Sequence, residues 1–208
     1  MEKADIREAY AKYYLEHGEG PVSVYSFCQQ LNMDEAAFYA IYSSFGAIEK
    51  DIWLALFKET LQKLQEDETY RNYSAKEKLL AFYFLWVQQL LKNRSYILLQ
   101  TRKFPPPGPH LSQLESFRVA FYDYIHDIIK EGYQTKEVKE RKYISDQYVH
   151  GFWAQALFVL QYWIKDDSER FEMTDAAIEK AVNLSFQLIS SSTLDSILDF
   201  GKFVLARK

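Results

Sequence analysis

Asp123, His126 and Asp127 stand within four residues in the run "FYDYIHDIIK", a spacing that sets two carboxylates and an imidazole on neighbouring turns of one helix. Such a set could move protons, a carboxylate orienting the imidazole. The same spacing also describes a solvated helix face, and nothing else in the chain converges on it. The other histidines, His17, His110 and His150, lie far apart, and Cys28 is the only cysteine, so neither a metal site nor an intrachain disulfide is expected. No glycine-rich phosphate loop, G-x-S-x-G elbow or H-E-x-x-H pair occurs. Cys28 shares an apolar helix face with Val24, Phe27 and Leu31, where a buried thiol is inert. The expectation is a protein that is not an enzyme and needs no cofactor.

A different chemistry is written in "VSVYSFCQQLNMDEAAFYAIYSSF", residues 22–45, whose polar side chains, the carboxylates Asp34 and Glu35 apart, are hydroxyls and amides able to meet phosphates and base edges. Val24, Phe27, Cys28 and Leu31 repeat at i, i+3, i+4, i+7. Asn32 suits a turn, Asp34 an N-cap, and Phe38, Ile41 and Tyr42 restart the spacing. Two short helices joined by a tight turn follow, the layout of a DNA-reading helix-turn-helix. Yet the segment holds no Lys or Arg, and residues 1–60 set five cations against ten carboxylates, a net of −5. Backbone neutralisation supplies most non-specific affinity for DNA, so such a head gives up much of that term.

The elements around this segment are helical. Aromatic residues make up 17% of the 208, while Gly (7) and Pro (5) are scarce, which favours long helices over a many-stranded sandwich. The expected fold class is all-α. "HGEGP" stops a first amphipathic helix over residues 4–17. A connector runs from Ala47 towards Leu64, and "QEDETYRN" breaks it. "SAKE", residues 74–77, is a capping box opening a helix to about Leu91, and a shorter helix follows in "RSYILLQTRKF". "PPPGP", residues 105–109, must be loop. Leu114 to Gly132 reads as helix, "KEVKERK" opens another through Ile164, and two last helices span roughly 174–190 and 193–206. The expected organisation is a helix-turn-helix domain over 1–46, a connecting helix and linker over 47–72, and a helical body over 73–208. The longest apolar run, Phe152 to Ile164, is too short for a membrane span, and "EKADIREAY" after Met1 has no apolar leader, so a cytoplasmic protein without membrane partners is expected.

The helices "IREAYAKYYLEHG", "PVSVYSFCQQLNM", "DEAAFYAIYSSF" and "AIEKDIWLALFKET" resemble, in order and length, the N-terminal region of tetracycline-repressor (TetR) family transcriptional regulators. Phe27 and Cys28 fall on that family's Ile-Ala positions, Asn32 on the turn Gly, Asp34 on the capping Ser or Thr, and Tyr39-x-x-Tyr42 on its aromatic pair. The ending "IEKAVNLSFQLISSSTLDSILDFGKFVLARK" looks like the C-terminal domain of a TetR-like subgroup found in Bacteroidetes. The resemblance implies a homodimer that binds DNA and responds to a small effector. By analogy, Ser23, Gln29, Glu35, Ala36, Ala37, Tyr39 and Ser43 are the DNA-contact positions. Where the family carries Lys or Arg, this chain has Gln29, Gln30, Glu35 and Phe45, leaving Arg7, Lys12 and Lys50 as the nearest cations.

The same resemblance implies an apolar effector pocket in the body, where the sequence offers Tyr83, Trp86, Phe117, Phe121, Tyr124 and Phe152. It also implies a two-fold four-helix dimer contact, for which Tyr148, Gln155, Val159 and Tyr162 form one stripe and Ile178, Val182 and Ile189 another, with Gly151 and Ala154 small enough for close approach. The alternative left open is a TetR-like helical protein that has lost DNA binding and carries a small molecule or lipid, or serves as an interaction module.

Overall fold

The computed structural model describes residues 1–102, 112–141 and 147–191. The "PPPGP" segment and the expected helix over 193–206 lie outside these. The described residues are all-α: α1 (Lys3–His17), α2 (Val24–Gln30), α3 (Glu35–Tyr39), α4 (Phe45–Glu66), α5 (Ala75–Lys92), α6 (Arg94–Thr101), α7 (Glu115–Gln134), α8 (Tyr148–Lys165) and α9 (Glu172–Ser190). None of these helices is long and apolar enough to cross a membrane. The chain divides into two compact units that interleave in sequence. One comprises Met1–Leu61 with Gln88–Ala120, the other Gln62–Val87 with the described residues from Phe121 on.

In the first unit, α2 and α3 have seven and five residues, too short to persist alone, so their shape depends on packing. An aromatic centre supplies it. Phe27 meets Tyr10, Phe38 and Phe45 edge-on at centroid distances of 6.1, 6.4 and 5.6 Å. The turn between α2 and α3 places Asn32 at φ 49°, a left-handed position that asparagine tolerates, while Met33 N–H bonds to the Cys28 carbonyl at 3.0 Å. Gly18 closes α1 at φ 75°. Gly20 lets the chain pass against Tyr10 and Tyr14, where a Cβ would meet the Tyr10 hydroxyl and the Tyr14 ring, each at 3.3 Å.

In the second unit the capping box forms as the sequence predicts, with Ser74 N–H to Glu77 at 2.8 Å and Glu77 N–H to Ser74 Oγ at 3.3 Å. The segment read as opening a long helix at Lys136 does not do so, since α8 begins only at Tyr148. Lys136 is left-handed at φ 63°. Val138 N–H bonds to the Gly132 carbonyl at 3.0 Å, and Glu137 accepts from the Ala75 and Lys76 amides at 3.1 and 3.3 Å, capping α5 from a distance. Arg141 then bonds to Tyr148 Oη and the Ile189 carbonyl, each at 2.7 Å, and to the Ser191 carbonyl. At the α8–α9 turn, Asp166 accepts from Ser168 N–H (2.9 Å) and Oγ (2.6 Å), and from Thr174 N–H (2.8 Å) and Oγ1 (2.5 Å).

Candidate nucleic-acid interface and the α8–α9 groove

Phe27, Cys28 and Phe38 turn inward and hold α2 and α3 together, and this leaves the opposite face to solvent. All seven expected contact positions, Ser23, Gln29, Glu35, Ala36, Ala37, Tyr39 and Ser43, are exposed on that face or at its ends. Ser23 caps α2, its Oγ accepting from Ser26 N–H at 3.1 Å. Val22, Tyr25 and Tyr39 are 91%, 60% and 54% exposed, giving the face an apolar and aromatic character beside Asp34 and Glu35. Burial, and then the nearby Glu35 and Asp34 carboxylates, push the Cys28 thiol up, which keeps it protonated and unreactive.

The cations that sequence reasoning offered for phosphate contact have partners of their own. Arg7 Nη1 lies 2.8 Å from Asp51, which also accepts from Tyr42 Oη at 2.6 Å. Burial alone would raise the Asp51 carboxyl, but the hydrogen bonds from Tyr42 and Arg7 outweigh it and hold the group below its ordinary value. Lys50 Nζ sits 2.6 Å from Glu115. Lys12 faces Glu16 at 3.8 Å, a loose exposed pair. Only the last pairing had a sequence signal, the i,i+4 spacing; the others join residues 44 and 65 apart. Glu49 is also taken up internally, accepting from Tyr10 Oη at 2.8 Å and Gln100 Nε2 at 3.1 Å.

Of the expected pocket residues, Tyr83, Trp86, Phe121 and Phe152 are buried in the second unit and Tyr124 is partly buried there, while Phe117 is buried in the first unit against Phe57 at 5.4 Å. Phe82 joins the set, stacking on Trp86 at 6.0 Å and tilting against Phe121 at 5.7 Å and Tyr124 at 5.1 Å. Tyr83 Oη donates to the Phe152 carbonyl at 3.4 Å and Tyr124 Oη to the Lys78 carbonyl at 3.2 Å. Asp123, His126 and Asp127 are all exposed along α7, a solvated face.

The expected dimer stripes fall largely inside the chain. Val159, Ile178 and Val182 are fully buried, Ile189 is 6% exposed, and Tyr148 is held by Arg141. Gln155 and Tyr162 instead line an open, mainly apolar groove of about 500 Å³ between α8 and α9. Ala154, Ala177, Ala181 and Ser185 give it small walls, while Phe158, Met173 and Leu184 stand at its rim 47%, 50% and 58% exposed. Of the residues expected on these stripes, Gln155 and Tyr162 lie on the outward groove of the single chain, and Val159, Ile178, Val182 and Ile189 lie in its core.

No curated protein sequence matches the chain. The fold is similar to that of a protein assigned to the TetR-family transcriptional regulators from Syntrophomonas wolfei, at 15% identity and a TM-score of 0.66 over 91% of this chain and 95% of that one. A protein of unknown function from Rhodococcus matches at 13% identity and a TM-score of 0.58, covering 91% and 95%. A transcriptional regulator from Cytophaga hutchinsonii matches at 20% and 0.56, covering 90% and 98%. The profile of the tetracyclin repressor-like C-terminal domain matches residues 78–204, more than half of the sequence, and the chain belongs to that TetR-like family.

Proposed function

We propose that the chain is a homodimeric transcriptional regulator working in the cytoplasm, whose α2–α3 head meets DNA through polar and aromatic side chains and whose helical body responds to a small apolar effector. The observation that carries the first part is the division of the head into two faces. Phe27, Cys28 and Phe38 are sealed inside, while Ser23, Gln29, Glu35, Ala36, Ala37, Tyr39 and Ser43 all meet solvent. Gln29 can bond an adenine edge and Glu35 can accept from cytosine N4. Ala36 and Ala37 can touch a thymine methyl, and Ser23, Tyr39 and Ser43 can reach phosphates. Two heads in successive major grooves would call for a roughly palindromic site. The effector is apolar in this reading because its surroundings would be the ring faces of Phe82, Tyr83, Trp86 and Phe121, with Tyr83 and Tyr124 supplying hydroxyls.

The engaged cations favour a second reading. With Arg7 on Asp51 and Lys50 on Glu115, the helix-turn-helix could persist as architecture alone. Selection from a pool of genomic fragments at low salt separates the two: a regulator enriches a palindromic sequence, and a structural module enriches none while still sedimenting as a dimer.

A further inference from the structure

Gln155 lines the α8–α9 groove and is 7% exposed, and neither its Nε2 nor its Oε1 has a hydrogen-bond partner among the described residues. Buried amides are almost always bonded, and leaving both ends unmet is costly. The nearby groove walls, Ala154, Ala177 and Ala181, have no side-chain polar atom to offer. Tyr162, Lys180 and Ser185 also line the groove, yet none of them bonds the amide, so an occupant that satisfies Gln155 must bring both a donor and an acceptor.

A second copy of the chain fits that demand. A two-fold axis sets a residue against itself, and an amide is self-complementary, since its N–H can bond the partner's C=O while the reverse bond forms as well. Alanine walls let another helix approach closely, and the half-exposed Phe158 and Leu184 give the partner apolar surface to cover. The size is sufficient. Helices of 18 and 19 residues side by side present a face roughly 27 Å by 20 Å, so two copies bury on the order of 1,000 Å², the lower bound for a specific interface.

We propose that Gln155 is the register residue of the dimer: the two Gln155 amides turn out of the groove floor and bond reciprocally at the two-fold axis. This rests on the homodimer put forward above. Both polar atoms are sealed in the single chain, so the side chain changes rotamer as the partner docks, which its three torsions permit. A buried polar pair of this kind fixes alignment, because any slip along α8 and α9 leaves two amides unmet in an apolar seam.

The test is Gln155→Cys, with the association state followed by sedimentation before mild oxidation. A disulfide needs Cα atoms within about 7 Å, a separation that residue 155 reaches with its own copy only near the axis. The expected result is a covalent dimer whose reducible peptide links Cys at 155 to itself, with no covalent dimer from the wild type, whose Cys28 is 1% exposed. A second variant, Gln155→Glu, sets two carboxylates face to face and should weaken dimerisation at least about 10-fold at pH 8, with recovery at pH 5. A dimer by sedimentation that neither cross-links at 155 nor responds to the glutamate overturns the register role and leaves the dimer standing. A monomer in sedimentation overturns the dimer itself.

Discussion

Glu35 is the first residue of α3 and is exposed on the contact face, so Glu35→Lys adds a cation where the head has none. In the wild type, Arg7 and Lys50 are held at 2.8 and 2.6 Å by Asp51 and Glu115, and α2 and α3 contribute no Lys or Arg. If each head neutralises at most about one phosphate, the slope of log affinity against log salt for a dimer is no steeper than about −2. One lysine per head adds two phosphate contacts and steepens that slope by about 1.8. Going from about 200 to 50 mM KCl, the variant should then gain about 12-fold more affinity for random-sequence DNA than the wild type gains. Fluorescence anisotropy on a labelled duplex across that salt range measures both slopes. Glu35→Gln, which removes charge without adding it, serves as the control and should leave the slope unchanged. Parallel lines for lysine and wild type would refute the placement of position 35 on the DNA-facing side of the head. A wild-type slope near −5 would refute the cation accounting itself.

Asp166→Ala removes the acceptor of four hydrogen bonds at the α8–α9 turn and should lower the unfolding free energy by about 1–2 kcal/mol in urea titrations. Burial would raise the Asp166 carboxyl, but the Ser168 and Thr174 bonds bring it down to about 2, so its stabilisation is complete above pH 4 and fades as pH falls towards 2. Melting temperatures of the wild type should drop through that window, and those of Asp166→Asn should lack this component. Two of the helical glycines should respond in opposite directions. A Cβ at Gly132 would lie 2.5 Å from Val138 Cγ2, a stiff β-branched side chain, so Gly132→Ala costs about 1 kcal/mol or more despite its better helix propensity. Gly151 has open space there, so Gly151→Ala should raise the stability of the single chain by about 0.5–1 kcal/mol in the same titrations.

What could be foreseen follows from how far each signal reaches along the chain. The Ser74–Glu77 capping box and the Asn32 turn depend on contacts within a few residues, and both appear as the sequence predicts. The stretch after Lys136 misled because its fate depends on distant partners: Glu137 caps α5, and Val138 fills the bare side of Gly132. Lys139 N–H also bonds to the Ile189 carbonyl at 3.1 Å. The dimer stripes show a different limit. On helices apolar on two sides, a 3.6-residue period marks both stripes, and it cannot tell that Val159 and Val182 go inside while Phe158 and Leu184 stay out. The acidity of the head was visible in the sequence, but its use was not. Glu49 and Asp51 serve the framework, binding Tyr10, Gln100, Arg7 and Tyr42, which leaves Asp34 and Glu35 to colour the exposed face.

That division changes where affinity for DNA must come from in the proposed reading. A head with few phosphate contacts starts no better than the weak end of non-specific binding, about 10⁻⁴ M. Two such heads joined in a dimer, with an effective concentration on the order of 10⁻³ M, reach only about 10⁻⁵ M together. A regulator working near 10⁻⁸ M then needs roughly 4 kcal/mol more, the worth of two to four good base-edge contacts. Gln29 and Glu35 are the polar side chains that can make such contacts, once in each head, and the methyls of Ala36 and Ala37 add thymine readout. Base contacts would thus supply the affinity that cations supply in a basic head, so a site with the wrong bases holds this protein hardly at all. The α8–α9 interface becomes part of the same requirement. Without it the two sets of base contacts act separately, and neither alone lifts one head into a useful range.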